Sequence, residues 1–302
     1  MLVDSLKKFS EKTNGKIIFD YNLKKTNWFN IGGNAKAYFK PENLKDLINF
    51  LKKFGNKEKI FILGAGSNIL INDKGFDGVV IKLGKNFSNI SILPNKTIIA
   101  GSASIDKRVA EFASENDIGG FEFLSCIPGT VGGGIRMNSG CFDSEFKDIL
   151  ISIQAVDTEG KVLTIPASKI NFEYRKTDLP RNLVFLSASF KGVHKDKKKA
   201  IKDMETLKEK KEKTQPTKIK TSGSTFKNPV SQTNEKVWKL IKSSVPKNIS
   251  FGDATISEKH SNFFVNKGDA TYEDMKQLID FVREKVKTKT GINLDLEIEI
   301  VN

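Results

Sequence analysis

An α/β layer structure is the fold class that the sequence predicts, and three observations predict it. Short apolar runs of strand character alternate with amphipathic helical patterns, and glycine-rich turns separate them. At 302 residues the chain exceeds the roughly 100–200 of one domain, so two or three domains are expected. A hydrophobic share of 38% against 28% charged residues suits a substantial core and excludes a disordered or fibrous chain.

The first clear element is PENLKDLINFLKKFGN. Leu44, Leu47, Ile48 and Leu51 repeat at helical spacing, Pro41 opens the turn and Gly55 follows the end. KIFIL (Lys59 to Leu63) and GVVIKL from Gly78 read as strands. A strand at Thr97 to Ala100 and a helix near Ser104 to Asn116 lead into the glycine-dense stretch CIPGTVGGGIRMNSGCF. ISIQAVDTEGKVLTI reads as a hairpin turning at Asp157 to Gly160, and LVFLSASFKG as one further strand. The lysine-rich run Lys191 to Lys218 has Ile201, Met204 and Leu207 at helical spacing amid charge, an exposed helix that Pro216 terminates. Met275, Leu278, Ile279, Val282 and Val286 define a last amphipathic helix. INLDLEIEIV then alternates as a strand with Glu297 on its solvated face.

The net charge of +14 raises the question of nucleic acid. Only five of the fifty basic residues are arginine, whereas recognition of bases and phosphates favours the bidentate guanidinium. The lysines are spread along the chain, which describes a solvated surface. No apolar run reaches the ~18–20 residues that span a bilayer, and MLVDSLKKFSEKTNG has no signal-peptide core. A cytoplasmic protein without nucleic-acid or membrane partners is therefore expected. Cys126 and Cys141 are too few for a disulfide framework and fit no zinc spacing, so reduced thiols and no metal site are expected.

Two glycine segments carry the first chemistry. GAGSNIL follows a strand, where backbone N–H groups can converge on a phosphate, although the same residues also suit a plain strand-to-turn connection. Ile69 occupies the place of the third glycine of a Rossmann fingerprint, and no GK[ST] makes a P-loop. IPGTVGGGIRMNSG adds Pro128, the Thr130 hydroxyl, Gly132 to Gly134, Asn138 and Ser139. Glycine loses more freedom on folding than any other residue, so something must approach this backbone closely. A pair of such loops suits the pyrophosphate of a dinucleotide.

NIGGNA, GAGSN, EFLSCIPGTVGGGIRMNSG, FEYRKTDL, GSTFKNP and SEKHSNFFVN occur in the order and spacing of the UDP-N-acetylenolpyruvoylglucosamine reductases, and the chain resembles that family over residues 20–300. The resemblance implies an α+β fold: a two-subdomain FAD-binding module of the vanillyl-alcohol-oxidase type and a C-terminal α+β substrate-binding domain. The implied boundaries are 1–85 and 86–195 for the flavin subdomains, 196–218 for a helical linker and 219–293 for the substrate domain, with strand 294–302 returning to the first subdomain. No tyrosine-bearing insertion follows YRKTDL, as in the shorter subtype.

The family reaction is reduction of an enolpyruvyl ether, in which NADPH reduces FAD and flavin N5 delivers hydride to the methylene carbon of UDP-N-acetylglucosamine enolpyruvate. Carried over by motif, the FAD contacts are Gly64, Ala65, Gly66, Ser67 and Asn68, then Pro128, Gly129, Thr130, Gly132, Gly133, Ser139 and Gly140. Arg175 is implied to meet the charge developing at the enolate, and Ser224 to donate the proton. Glu297 aligns with the second, catalytic glutamate of the family ending L-E-P-E-V-R and is implied to be catalytic, although Asp295, Leu296 and Glu299 depart from that ending. Tyr174, Lys227, Asn228 and His260 are implied to bind substrate, and Cys126 stands where the family has glycine. Neither His194 nor His260 precedes the flavin segments, so non-covalent FAD is expected, in a monomer.

Two rival readings remain from sequence. Another FAD oxidoreductase of the same fold would keep the glycine segments, but would have no reason to hold Arg175, Ser224 and Glu297 together. A basic nucleic-acid-binding protein would purify colourless.

Overall fold

The computed structural model describes residues 2–302, which divide into two compact units. The first holds the chain up to Tyr21, Lys36–Ala65 and Asp77–Lys211; the second holds Asn22–Ala35, Gly66–Phe76 and Glu212–Asn302.

The first unit is built on two sheets. Strands Lys16–Asn22, Asn34–Lys40, Phe76–Ile81 and Ile60–Ile62 lie side by side in that order, and the last pair run parallel with Ile60 opposite Val79. Helices Leu2–Ser10 and Leu44–Phe54 bury Leu6, Phe9, Leu47, Phe50 and Phe54 against Ala37, Phe39, Val79 and Ile81. Phe39 stacks on Phe50 at 4.5 Å. Asn43 accepts from the Asp46 amide to cap the second of these helices, so its start falls three residues after Pro41.

The second sheet has five strands in the order Val162–Pro166, Leu150–Val156, Val184–Lys191, Thr97–Gly101 and Ile90–Ile92. Every pair is antiparallel, with Gln154 opposite Thr164 and Ser187 opposite Gly101. Helix Asp106–Glu115 and the short helix Val131–Arg136 pack on it through Val109, Ala113, Val131 and Ile135, onto Ile98, Ile153 and Phe190. An antiparallel sheet covered this way is α+β. The α/β layer read from alternation alone is thereby corrected, because two of the turns between strands are hairpins rather than crossovers. Helix Lys197–Thr214 buries only Ala200, in keeping with its charge.

The second unit packs helices Val237–Ser244 and Tyr272–Thr290 on a three-stranded antiparallel sheet of Ser250–Phe251, Ala254–Ile256 and Phe264–Asn266. Thr271 and Asp274 form a capping box at the start of the long helix, and Gly291 ends it in the left-handed region at φ 74°. The buried stripe is the one read from its periodicity: Met275, Leu278, Ile279, Val282 and Val286.

The last segment differs from the expected long strand. Only Glu299–Val301 forms one, parallel to Ile69–Ile71. Before it, Leu296 bridges Phe226, the Lys227 amide donates to the Asp295 carbonyl at 2.9 Å and the Glu297 amide to the Thr225 carbonyl at 2.8 Å. The Asn68 side-chain amide reaches the Glu297 carbonyl at 2.9 Å. Glu297 is thus half-buried rather than on a solvated face, because chain covers the segment on both edges.

Candidate functional site

The glycine-dense stretch is a helix in its middle rather than a loop. Strand-like residues Ile105 and Thr130 bridge, the Val131 amide donates to the Ser104 carbonyl and the Gly132 amide to the Ser102 carbonyl, both at 2.9 Å. That docking sets Thr130 as the residue before helix Val131–Arg136. The three consecutive glycines then do different things. A Cβ on Gly134 would overlap the buried Phe146 ring, and one on Gly132 would come within 3.1 Å of the Ser102 Cβ. Gly133 is exposed, and its Cβ would meet only the Thr130 hydroxyl at 3.7 Å. Gly64 faces the same place, its Cβ lying 2.9 Å from Thr130 Oγ1 and 4.0 Å from the Gly133 Cα.

The glycines of the two segments thus differ in what surrounds them. Gly132 and Gly134 are small because the chain itself crowds them, whereas Gly64 and Gly133 leave open space around one hydroxyl. Residues that fit a phosphate-bearing cofactor are of the second kind, since a side chain on either would enter the space a ligand needs. Gly66 belongs to the first kind: at φ 69° its Cβ would overlap the Thr26 carbonyl. Ala65, Ser67, Asn68, Ser139 and Gly140 are half-buried, and Pro128 is exposed. Beneath the segment, Gly129 abuts the carboxyl of Asp106, which is fully buried. Neither carboxyl oxygen has a hydrogen-bond partner among the described residues, and burial raises its pKa well above the ordinary 3.8. Burial thus disfavours the charged carboxylate beneath the glycines.

Arg175 stands at φ 56° in the turn of the small hairpin Phe172–Glu173 and Lys176–Thr177. Its Nη2 donates to the Gly140 carbonyl at 3.0 Å, and Nη1 lies 3.4 Å from Glu145 Oε1. The guanidinium also sits over the Tyr174 ring at 4.9 Å. With a side chain 17% exposed, it is a half-buried cation fixed to the end of the glycine segment and not the surface ion pair a lone arginine usually makes.

In the second unit, Ser224 bridges Phe263, and its neighbour Thr225 accepts from the Glu297 amide. Ser224 and Glu297 are therefore held on adjacent segments, joined by the Phe226–Leu296 bridge and the Glu297–Thr225 backbone bond. Asn262 clamps that bridge: its Oδ1 accepts from the Phe226 amide at 3.0 Å, and its Nδ2 donates to the Phe226 carbonyl at 2.8 Å. Asn228 has a structural task as well, accepting from the Val237 amide at 3.1 Å at the start of helix Val237–Ser244. His260 packs edge-on against Phe263 at 4.7 Å, and its Nδ1 accepts from the Asn262 amide at 3.3 Å. Burial lowers its pKa, so it is a neutral imidazole at pH 7 with Nε2–H as the available donor. Lys227 is half-buried beside this bridge.

Sequence reasoning missed Glu145, which joins Arg175 to Lys147 Nζ at 2.8 Å, and the bond from Asn138 Nδ2 to Glu145 Oε2 at 3.0 Å. Asn138 was read as one more polar group of the segment. It is fully buried at φ 42° and also donates to the Glu173 carbonyl at 3.1 Å. The left-handed backbone is the local signal for asparagine, but no pattern announces Glu145.

The FAD binding domain family model matches residues 35–166, and that of the UDP-N-acetylenolpyruvoylglucosamine reductase C-terminal domain matches 215–301. The UDP-N-acetylenolpyruvoylglucosamine reductase of Pelagibacter ubique is 65% identical over 301 residues, covering 100% of both chains. That of Rickettsia conorii is 46% identical over 280 residues, 93% of this chain and 94% of its own. The crystal structure of UDP-N-acetylenolpyruvylglucosamine reductase from Thermus caldophilus superimposes with a TM-score of 0.82 at 27% identity, over 96% of this chain and 99% of that one.

Proposed function

We infer the reaction of this chain from its family: it belongs to the UDP-N-acetylenolpyruvoylglucosamine reductases and carries an FAD-binding domain. It reduces the enolpyruvyl ether of UDP-N-acetylglucosamine enolpyruvate to UDP-N-acetylmuramate in peptidoglycan synthesis, with NADPH as reductant. FAD, held non-covalently, supplies the two-electron carrier between them. Its flavin subdomains are residues 1–85 and 86–195, and residues 219–293 receive the substrate.

The Gly64–Asn68 and Pro128–Gly140 segments hold the cofactor, with the Thr130 hydroxyl as the donor between Gly64 and Gly133. Arg175 stabilises negative charge as it develops on the substrate carboxylate, for which its rigid fork is suited. Ser224 gives the proton. A serine is a weak acid at neutral pH, so its neighbours must stabilise the alkoxide as the proton leaves. Glu297, on the adjacent segment, is the third catalytic residue of this set. His260 donates from Nε2 to the diphosphate, and Tyr174, Lys227 and Asn228 complete substrate binding. The observation that carries the reading is the backbone bond between Glu297 and Thr225 at 2.8 Å, which sets the segments holding Ser224 and Glu297 side by side. The protein is a cytoplasmic monomer; no helix among the described residues is long and apolar enough to cross a membrane.

The test is anaerobic oxidation of NADPH by the purified yellow protein. Oxidation should be stoichiometric with the flavin alone and catalytic once UDP-N-acetylglucosamine enolpyruvate is added. Sustained NADPH oxidation without that substrate, or none with it, rules the reading out.

A further inference from the structure

Cys126 and Cys141 enclose the glycine segment between them in sequence, and the fold returns one to the other. The turn Glu122–Cys126 packs against the two-residue strand Gly140–Cys141. That packing brings the two thiols near enough for each to shift the other's titration. Cys126 is buried and Cys141 is partly open to solvent. Cations surround the pair: Lys211 Nζ donates to the Cys126 carbonyl at 2.6 Å, and Arg175 is bound to the carbonyl of Gly140, next to Cys141. Ser125 Oγ lies 3.8 Å from Cys126 Sγ.

We propose that Cys126 and Cys141 are a reversible redox pair, which a hydroperoxide oxidises to an intramolecular disulfide that closes residues 127–140 into a covalent ring. The Cys141 thiol, helped by Ser125 and Lys211, pulls the Cys126 pKa down to about 6, while the Cys126 thiol and burial raise that of Cys141. Cys126 is thus the thiolate and the nucleophile, and peroxide enters from the open side of Cys141. Its sulfur attacks one peroxide oxygen: an S–O bond forms, the O–O bond breaks, and the departing hydroxide becomes water by taking from solvent the proton that Cys126 released on ionising. The Cys141 sulfur then attacks the Cys126 sulfenic sulfur. The S–S bond forms, the S–O bond breaks, and the second hydroxide leaves as water with the Cys141 proton. Two thiols are oxidised by two electrons and one peroxide is reduced to two waters.

The ring would contain Thr130, Gly133 and the Gly140 carbonyl that Arg175 holds, so the oxidised chain has a stiffer glycine segment. The test uses the full-length protein and needs no enzymatic activity. Native protein is treated with hydrogen peroxide, alkylated with iodoacetamide under denaturing conditions and mapped by mass spectrometry. Both cysteines should lose alkylation together, a linked peptide lighter by two hydrogens should appear, and dithiothreitol should restore both thiols fully. Neither Cys126→Ser nor Cys141→Ser protein should yield a linked peptide; in Cys141→Ser protein Cys126 should gain oxygen instead, and in Cys126→Ser protein Cys141 should stay largely reduced. Full alkylation of both wild-type cysteines after peroxide, sulfinic acid on one with the other untouched, or a disulfide between two chains would each overturn the proposal.

Discussion

Gly64 and Gly133 face each other across the Thr130 hydroxyl, so closely that a Cβ on the first would lie 4.0 Å from the Cα of the second. Neither is crowded by any other side chain. Gly133→Val should therefore fold normally but purify with little FAD, because its side chain enters open space that the cofactor needs. Gly134→Val should instead lower stability by about 1–3 kcal/mol or more, the cost of overpacking a core, since it strikes Phe146. The ratio of flavin to protein absorbance, read beside the melting temperature, separates the two. A yellow, normally melting Gly133→Val protein would remove Gly133 from the cofactor site.

Asn138 joins three parts of the chain, bonding Glu145, the Glu173 carbonyl and the Lys147 amide at 3.0–3.1 Å. Asn138→Ala should cost roughly 2–3 kcal/mol, because it strands buried partners and puts alanine in a left-handed backbone. Urea denaturation with an unchanged slope would report it as a shift in midpoint.

Asp106 should make stability fall as pH rises. Burial lifts its folded pKa above the ordinary 3.8, so above that pH the unfolded chain releases a proton that the folded one keeps. The penalty is absent below about pH 3.8, grows upward from there and stops growing at the folded pKa. Asp106→Asn removes it: the variant should melt higher than wild type at pH 7, with the gap closing toward pH 4. Equal gaps at both values would show that the carboxyl is not held neutral.

Ser224→Ala should leave bleaching of the flavin by NADPH near normal and slow reoxidation by the enolpyruvyl substrate by at least the ~10²-fold typical of a lost general acid. Stopped-flow absorbance of the two half-reactions reads both. Arg175→Lys should slow reoxidation too and weaken substrate binding, since an ammonium cannot make the bidentate contact. Loss of flavin reduction with reoxidation intact in Ser224→Ala would be incompatible with its assigned role.

The sequence by itself determined the elements whose evidence is local. The apolar stripe of Tyr272–Thr290, the hairpin through Asp157 to Gly160 and the helix ending at Gly55 depend on periodicity and turn chemistry within a few residues. It also determined the family, because six ordered motifs constrain many positions at once. Only the tertiary structure decided what each glycine of the run is for: Phe146, Ser102 and open space lie beside three successive residues of identical type. It likewise decided that Glu297 is half-buried, since the alternation of INLDLEIEIV shows which residues share a face but not that Thr225 and Asn68 cover its edges. Glu145 beside Arg175, 30 residues away in sequence, and Cys126 beside Cys141 belong to the same class. Such pairs are set by how distant segments close on a shared core, and a linear pattern carries no record of that closure.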